Sequence, residues 1–235
     1  MQKITFSKKL SMKFKISRKQ AESLIKNKKV TLNGDIETRP FLSVTDKDIF
    51  KIKKTKSSKL NIVLFHKPKG CITSKKDEKD RKIVYDFLPK KYHQYHYIGR
   101  LDYNSEGLLL FTKETSFKRY MELPKSNIKR SYLVNVIGSF DENKIKSMNK
   151  KIYGKEIYKK PNVNLLHSNS NKHVLRFDLS EGKNREIRNI CTLFNLKVEK
   201  LKRISYGRFL LKSITYGNYK AVSYTHLTLP TTVQV

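Results

Sequence analysis

Asp102 stands in the segment Gly99-Arg100-Leu101-Asp102-Tyr103-Asn104-Ser105-Glu106-Gly107, directly before the apolar run Leu108-Leu109-Leu110-Phe111. A loop carboxylate flanked by a guanidinium stays ionised, and an ionised carboxylate can act as a nucleophile. The same pair on a turn also makes an ordinary structural ion pair, and the segment alone does not separate the two. A second segment, Glu181-Gly182-Lys183-Asn184-Arg185-Glu186-Ile187-Arg188, reads as a strand-to-helix junction. Gly182 permits the turn, the helix N-terminus offers free amides to an anion, and Arg185 and Arg188, three apart, are expected to project together from the first turn. A solvated basic turn that merely binds phosphate has the same composition. The third is Tyr132 in Lys129-Arg130-Ser131-Tyr132-Leu133-Val134. A tyrosine among strand formers serves packing far more often than chemistry.

Around these segments the sequence predicts two regions and a connector. In residues 8–52, Ser17 can cap a helix over Arg18 to Lys28, with Ala21, Leu24 and Ile25 on one face. Val30 to Gly34 reads as a strand ending in an Asn-Gly turn, and Asp48 to Lys53 as a second strand. Residues 53–59 are polar, charged and aperiodic, a linker. From residue 60 to 221 the pattern is of many strands with a few helices. Strands are expected at Asn61–His66, Gly107–Thr112, Ser131–Ile137, His173–Leu179 and Val198–Ser205. Helices are expected at Thr115–Leu123 and Asn184–Phe194, the latter with Ile187, Ile190, Cys191 and Phe194 inward. Strands and helices mixed without regular βαβ spacing predict an α+β fold with a mostly antiparallel sheet. Residues 222–235 carry no Lys or Arg in a chain otherwise full of them. They resemble the translation of a sequencing adaptor and are set apart as a tail foreign to the rest.

Charge narrows the partner. The 235 residues include 52 Lys and Arg against 20 Asp and Glu, a net charge of +32. A codon bias towards lysine would raise the acids too, and only the cations rise. Such a surface favours nucleic acid over an anionic membrane as its counter-ion. Cys71 and Cys191 have no CxxC partner, and no His-Glu-x-x-His occurs, so neither a disulfide framework nor a metal site is expected. A reducing cytoplasm is the expected compartment. The N-terminal segment has no apolar stretch of signal-peptide length, and none of the chain approaches a membrane span.

Taken together, Arg-Leu-Asp-x-x-Ser-Glu-Gly-Leu-Leu-Leu-Phe-Thr, Lys-Pro-x-Gly at 67–70, the Tyr-Leu-Val strand and Glu-Gly-Lys-Asn-Arg-x-x-Arg resemble, in order and spacing, the rRNA pseudouridine synthases of the RsuA/RluB/RluE/RluF type. The resemblance extends to about Ala221. It implies a pseudouridine synthase catalytic domain with a mixed, mostly antiparallel sheet, and makes residues 8–52 similar to the small alpha-L RNA-binding domain these enzymes carry in front. It implies Asp102 as the catalytic aspartate and Arg188 as the basic residue that pairs with it. Tyr132 becomes the tyrosine that stacks on the target base and helps remove its C5 proton. Arg100 becomes the arginine that fills the gap left by the flipped uridine. Arg185, Lys183 and Asn184 are expected to bind substrate, and Arg18, Lys19 and Lys26 to contact phosphates. Lys67, Pro68 and Gly70 are expected to brace the floor of the site. Asn189 stands where the family often has Arg, and Arg208 where it often has Pro; neither position carries an expected catalytic role.

The implied reaction detaches uracil from C1′, turns it and reattaches it through C5. It needs a carboxylate near the ribose and room for the base, and no cofactor or metal. Attack at C1′, attack at C6 and removal of the 2′ proton are all open as its first step. The segments Tyr103 to Gly107 and Arg203-Ile204-Ser205-Tyr206-Gly207 resemble the RluB branch, which implies ribosomal RNA, and large-subunit (23S) rRNA in particular, as partner of a monomeric enzyme. The small-subunit (16S) branch is the alternative. A non-catalytic ribosome-assembly factor would use the same basic surface but has no need of an acid facing RNA. A methyltransferase would need a glycine-rich nucleotide loop, and nine glycines with no GxGxxG offer none.

Overall fold

The structure is a computed structural model that describes residues 4–14, 16–52, 60–154 and 156–224. These fall into two units, one holding residues 4–52 and the other Leu60–Tyr224.

The first unit runs β1 (Ile4–Thr5), α1 (Phe6–Phe14), α2 (Arg18–Lys26), β2 (Val30–Leu32), β3 (Asp35–Ile36), β4 (Ser43–Val44) and β5 (Phe50–Ile52). Ser17 caps α2 as a capping box: its hydroxyl accepts from the Gln20 amide at 3.2 Å while the Ser17 amide donates to Gln20 Oε1 at 2.9 Å. The helix ends at Lys26 rather than the expected Lys28, because Lys28 adopts a left-handed φ of 57°. Asn33 and Gly34, both at positive φ, turn β2 into β3, as a tight hairpin between right-twisted strands requires. Phe6, Leu10, Ala21, Ile25, Val30, Val44 and Phe50 form its buried core. Phe6 is fully buried, so the unit begins ahead of the expected boundary at residue 8.

In the second unit the elements are β6 (Leu60–Lys67), β7 (His96–Ile98), β8 (Glu106–Thr112), α3 (Thr115–Glu122), β9 (Arg130–Ile137), α4 (Glu142–Met148), β10 (Ile152–Tyr153), β11 (Ile157–Tyr158), β12 (Asn162–Asn169), β13 (Lys172–Leu179), α5 (Glu186–Leu193), β14 (Lys197–Tyr206), β15 (Phe209–Leu210) and β16 (Tyr219–Tyr224). One sheet has the order β12-β13-β9-β14-β8-β6-β16, with β7 added on β8 and β15 on β14. Its strands pair antiparallel except β14 with β8, so this is the mixed, mostly antiparallel sheet of an α+β fold. Every residue of β8 is buried, as its unbroken apolar run implied.

Two cores flank this sheet. Val134, Val136, Leu175, Phe177, Ile187, Ile190 and Cys191 join β9, β13 and α5. Val63, Phe65, Tyr85, Leu109 and Phe111 form the other beneath β6 and β8. Helix α5 starts at Glu186, two residues later than expected, because Arg185 takes a left-handed φ of 51°. The boundary at 221 also moves. Val222, Ser223 and Tyr224 continue β16 and pair with Ile62, Asn61 and Leu60, so the residues set apart as tail begin inside a regular strand. The expected linker at 53–59 and residues 225–235 lie outside the described residues. Among the described residues no helix is long and apolar enough to cross a membrane.

Candidate active site

A cavity of about 490 Å³ opens among the 99–105 loop, β9, β14 and the junction between β13 and α5. Asp102, Arg100, Tyr132, Lys183 and Arg185 all border it, so three segments distant in sequence meet at one place. Asn184 is exposed and does not border it; its carbonyl accepts from Asn189 Nδ2 at 3.3 Å.

The loop that carries Asp102 is held from several sides. Lys67, the fully buried last residue of β6, donates through Nζ to the carbonyls of Pro68 (2.9 Å), Asp102 (3.1 Å) and Ser105 (2.9 Å). Burial pulls the Lys67 pKa below its usual value, and the carbonyl dipoles supply the partners that a buried ammonium needs. The Gly70 amide donates to the Tyr103 carbonyl at 3.0 Å, from a φ of +77° suited to glycine. The Lys-Pro-x-Gly segment therefore grips the Asp102 loop by its backbone. Thr73, which sequence reasoning passed over, adds to the grip. Its hydroxyl donates to the Leu101 carbonyl at 2.8 Å and accepts from the Leu101 amide at 3.3 Å. On the far side the Gly99 amide donates to Glu122 Oε1 of α3 at 2.8 Å.

Around the carboxylate one expectation changes. Arg188 was expected to pair with Asp102, but its Nη2 donates to the Asn104 carbonyl at 3.2 Å. The ion-pair contact is made by Arg185, whose Nη1 lies 4.0 Å from Asp102 Oδ2. The left-handed turn at Arg185 places it ahead of α5, so the two arginines do not share the helix's first turn, and they reach the loop at different points. At 4.0 Å, with both side chains well exposed, the Arg185 contact is worth little by itself. Burial and the charge of Arg185 lower the Arg188 pKa, and the charge of Asp102 raises it, so Arg188 remains in the field of the carboxylate. Lys183 turns aside: its Nζ donates to the Ile157 carbonyl, lies 3.6 Å from Glu156 and sits over the Tyr158 ring.

Tyr132 is nearly buried on β9. Arg130, two residues earlier on the same strand face, and Arg203 and Tyr206 of β14 also border the cavity. The sequence named Arg203 and Tyr206 only in a branch-like segment and gave none of the three a role in the site. Arg130 was visible as the residue two before Tyr132, whereas Arg203 is one cation among 52. Glu186 is buried in the same wall. Its Oε2 accepts from the Lys183 amide at 3.0 Å, and burial pushes its pKa up to about 7. Among the described residues no three His, Cys, Asp or Glu side chains gather as a metal site. Arg18, Lys19 and Lys26 are exposed on α2 of the first unit.

The sequence profile of the family described as RNA pseudouridylate synthase matches residues 61–193, more than half of the chain. The chain belongs to that family. An uncharacterized RNA pseudouridine synthase of Rickettsia bellii is 39% identical over 214 residues, 88% of this chain and 91% of that protein. The ribosomal large subunit pseudouridine synthase B of Bacillus subtilis is 31% identical over 212 residues, 88% of this chain and 87% of that one. A crystal structure of a pseudouridylate synthase superposes with a TM-score of 0.64 at 23% identity, covering 93% of this chain and 96% of that one; at that identity the likeness speaks for the fold. The protein is an RNA pseudouridine synthase, an isomerase that modifies RNA.

Proposed function

We propose that this pseudouridine synthase modifies a uridine of large-subunit (23S) ribosomal RNA, with Asp102 as the nucleophile. The observation that carries the reading is the placement of the Asp102 carboxylate, partly exposed, at a 490 Å³ cavity that Tyr132 and Arg100 also border. That volume admits a nucleoside swung out of its stack. Tyr132 stacks on the entering base, a contact worth about 1–3 kcal/mol, and Arg100 takes the place the base leaves. Arg185 holds positive charge beside the carboxylate, and Arg188 lies within its field. The reaction moves one carbon–nitrogen bond to carbon and draws on no cofactor. The ribosomal target rests on the name of the Bacillus relative and on the motif resemblance.

The first unit is read as an alpha-L RNA-binding domain, with Arg18, Lys19 and Lys26 on phosphates. Its capped helix and small antiparallel sheet support that reading. A reducing cytoplasm suits the two cysteines, both free and buried.

The decisive experiment deletes the gene and maps pseudouridine across the rRNA. It then restores either the wild-type enzyme or Asp102→Asn. One large-subunit uridine should lose its modification and regain it with the wild type alone. Restoration by the Asn variant would sink the nucleophile. Loss of a small-subunit site instead would sink the proposed target.

A further inference from the structure

Arg130 and Arg203 are buried arginines for which the structure shows no carboxylate. Arg203 is 2% exposed and Arg130 8%, and among the described residues neither has an acidic oxygen within 4.0 Å. Arg203 donates from Nε to the Leu108 carbonyl at 2.7 Å and from Nη1 to the Arg100 carbonyl at 3.4 Å; its Nη2 is buried with no hydrogen-bond partner among the described residues. Arg130 Nη2 donates to the Met121 carbonyl at 3.3 Å and to Tyr206 Oη at 2.9 Å. Both guanidiniums lie against the Tyr206 ring, with their carbons 4.6 and 5.0 Å from its centroid. Glu186, in the same wall, is only partly ionised near neutral pH and offers incomplete compensation. A buried charge without a counter-ion is costly, and a protein keeps two of them beside a cavity when the cavity's occupant brings the opposite charge.

The strand register says where that occupant sits. Tyr132 pairs with Arg203 across β9 and β14, and Arg130 pairs with Tyr206. A shift in register between Arg203 and Ser205 brings Tyr206 onto the face that carries Arg203. Cross-strand partners have their Cβ atoms about 5 Å apart. A base stacked on Tyr132 would therefore lie within reach of Arg203. The phosphates of the RNA stay at the rim, where the exposed Arg100 and Arg185 stand.

We propose that Arg130 and Arg203 form an oxyanion subsite for the carbonyl oxygens of the target uracil, holding the negative charge that the base carries during its transfer from N1 to C5 linkage. This rests on the reading that the cavity takes a uridine. When an Asp102 oxygen bonds C1′ and the C1′–N1 bond breaks, the electron pair of that bond stays with the uracil and spreads over N1, O2 and O4. The base turns, the pair forms the C5–C1′ bond while the Asp102–C1′ bond breaks and returns its pair to the carboxylate, C5 loses its proton and N1 gains one, so composition is unchanged. Attack at C6 likewise places charge on the ring carbonyls. The base is neutral at the start and the end and anionic between, so fixed guanidiniums favour the intermediate over both, which is the condition for catalysis.

The test uses single-turnover kinetics on an in vitro transcript of the rRNA segment that carries the mapped uridine, made with either UTP or 5-fluoro-UTP. Fluorine stabilises the uracil anion by itself and lessens the need for the guanidiniums. On the uridine transcript, Arg203→Gln should slow cleavage of the C1′–N1 bond about 10²- to 10³-fold, as loss of one oxyanion donor does elsewhere. On the fluorinated transcript the defect should shrink about tenfold or more. Arg203→Lys should recover part of the rate, and Arg130→Gln should show the same substrate dependence. RNA affinity should be unchanged. Comparing two substrates on one preparation cancels any loss of folded enzyme. Equal defects on both transcripts would overturn the proposal in favour of a role in loop positioning. A parallel fall in RNA affinity would overturn it in favour of a phosphate contact. A wild-type enzyme that forms no pseudouridine on the uridine transcript would instead overturn the functional reading beneath it.

Discussion

Gly107 and Arg203 face each other in the parallel pair of β8 and β14, and a Cβ added at Gly107 would stand 2.3 Å from the Arg203 carbonyl oxygen. The backbone there also has φ +110°, which side chains rarely adopt. The close approach carries Arg203 under the loop that holds Asp102, since its guanidinium reaches the carbonyls of Arg100 and Leu108 on either side.

Gly107→Ala must therefore spread the two strands. The expected cost is about 3 kcal/mol, seen as a fall in melting temperature of about 6–12 °C. Activity should fall further than the folded fraction, because the Asp102 loop loses its support. Calorimetry alongside an activity assay at a temperature where the variant is folded checks both. An unchanged melting temperature would show that the strands yield without penalty.

Lys67→Met removes one donor from three backbone carbonyls while keeping most of the volume. Hydrogen bonds from a charged donor contribute about 1.5–3 kcal/mol each, but these share one ammonium, so a total loss of about 3 kcal/mol is expected. Pseudouridine formation should drop at least about tenfold, with RNA affinity retained, since Lys67 is fully buried and touches no solvent. A variant with weakened RNA binding and an intact rate would contradict this.

How far the site could be read ahead of the structure depended on which interactions are local. Asp102, Tyr132, Lys67 and Gly70 lie in segments whose residue types and order were informative; the first two meet at the cavity, and the other two hold the Asp102 loop by its backbone. The buried β8 and the Ser17 cap are likewise local patterns of period and side-chain reach. The partner of Asp102 was not local in that sense. Whether Arg185 or Arg188 meets the carboxylate turns on one left-handed residue, and a spacing of three assumes that both are helical. Strand β12 escaped because nearly all of it is exposed, so no alternation marks it. Arg203 was named only as part of a branch-like segment, and its place in the site was missed because burial, not type, distinguishes it from the other cations.

Arg18, Lys19 and Lys26 give a prediction that is electrostatic and independent of chemistry. Each phosphate neutralised by a single-stranded or structured RNA contact contributes about 0.7–0.9 to the slope of log affinity against log salt. Replacing all three with Gln should weaken binding to rRNA and flatten that slope by about 2, while leaving the single-turnover rate at saturating enzyme unchanged. Filter binding from low to moderate salt measures it. A parallel weakening at every salt concentration would remove these side chains from the phosphate contacts.

Glu186 makes stability depend on pH in an unusual direction for an acid. Its pKa rises from 4.5 to about 7 on folding because burial penalises the carboxylate, and the hydrogen bond from the Lys183 amide only partly offsets this. Between those two values the folded chain binds a proton that the unfolded chain has released, so this group's contribution to stability declines as pH rises through the window. Above pH 7 the full cost is present, about 3 kcal/mol at 1.36 kcal/mol per pH unit. Glu186→Gln keeps an oxygen for the Lys183 amide and removes the ionisation. The variant should be more stable than the wild type by about 2–3 kcal/mol at pH 8, with the gap closing towards pH 4.5. Urea unfolding of both proteins at several pH values measures the difference, from which all other titrating groups cancel. A gap that stays constant across the range would mean that Glu186 is ionised throughout, its charge compensated within the cavity wall by Arg130, and would remove it as the group that leaves the two buried arginines uncompensated.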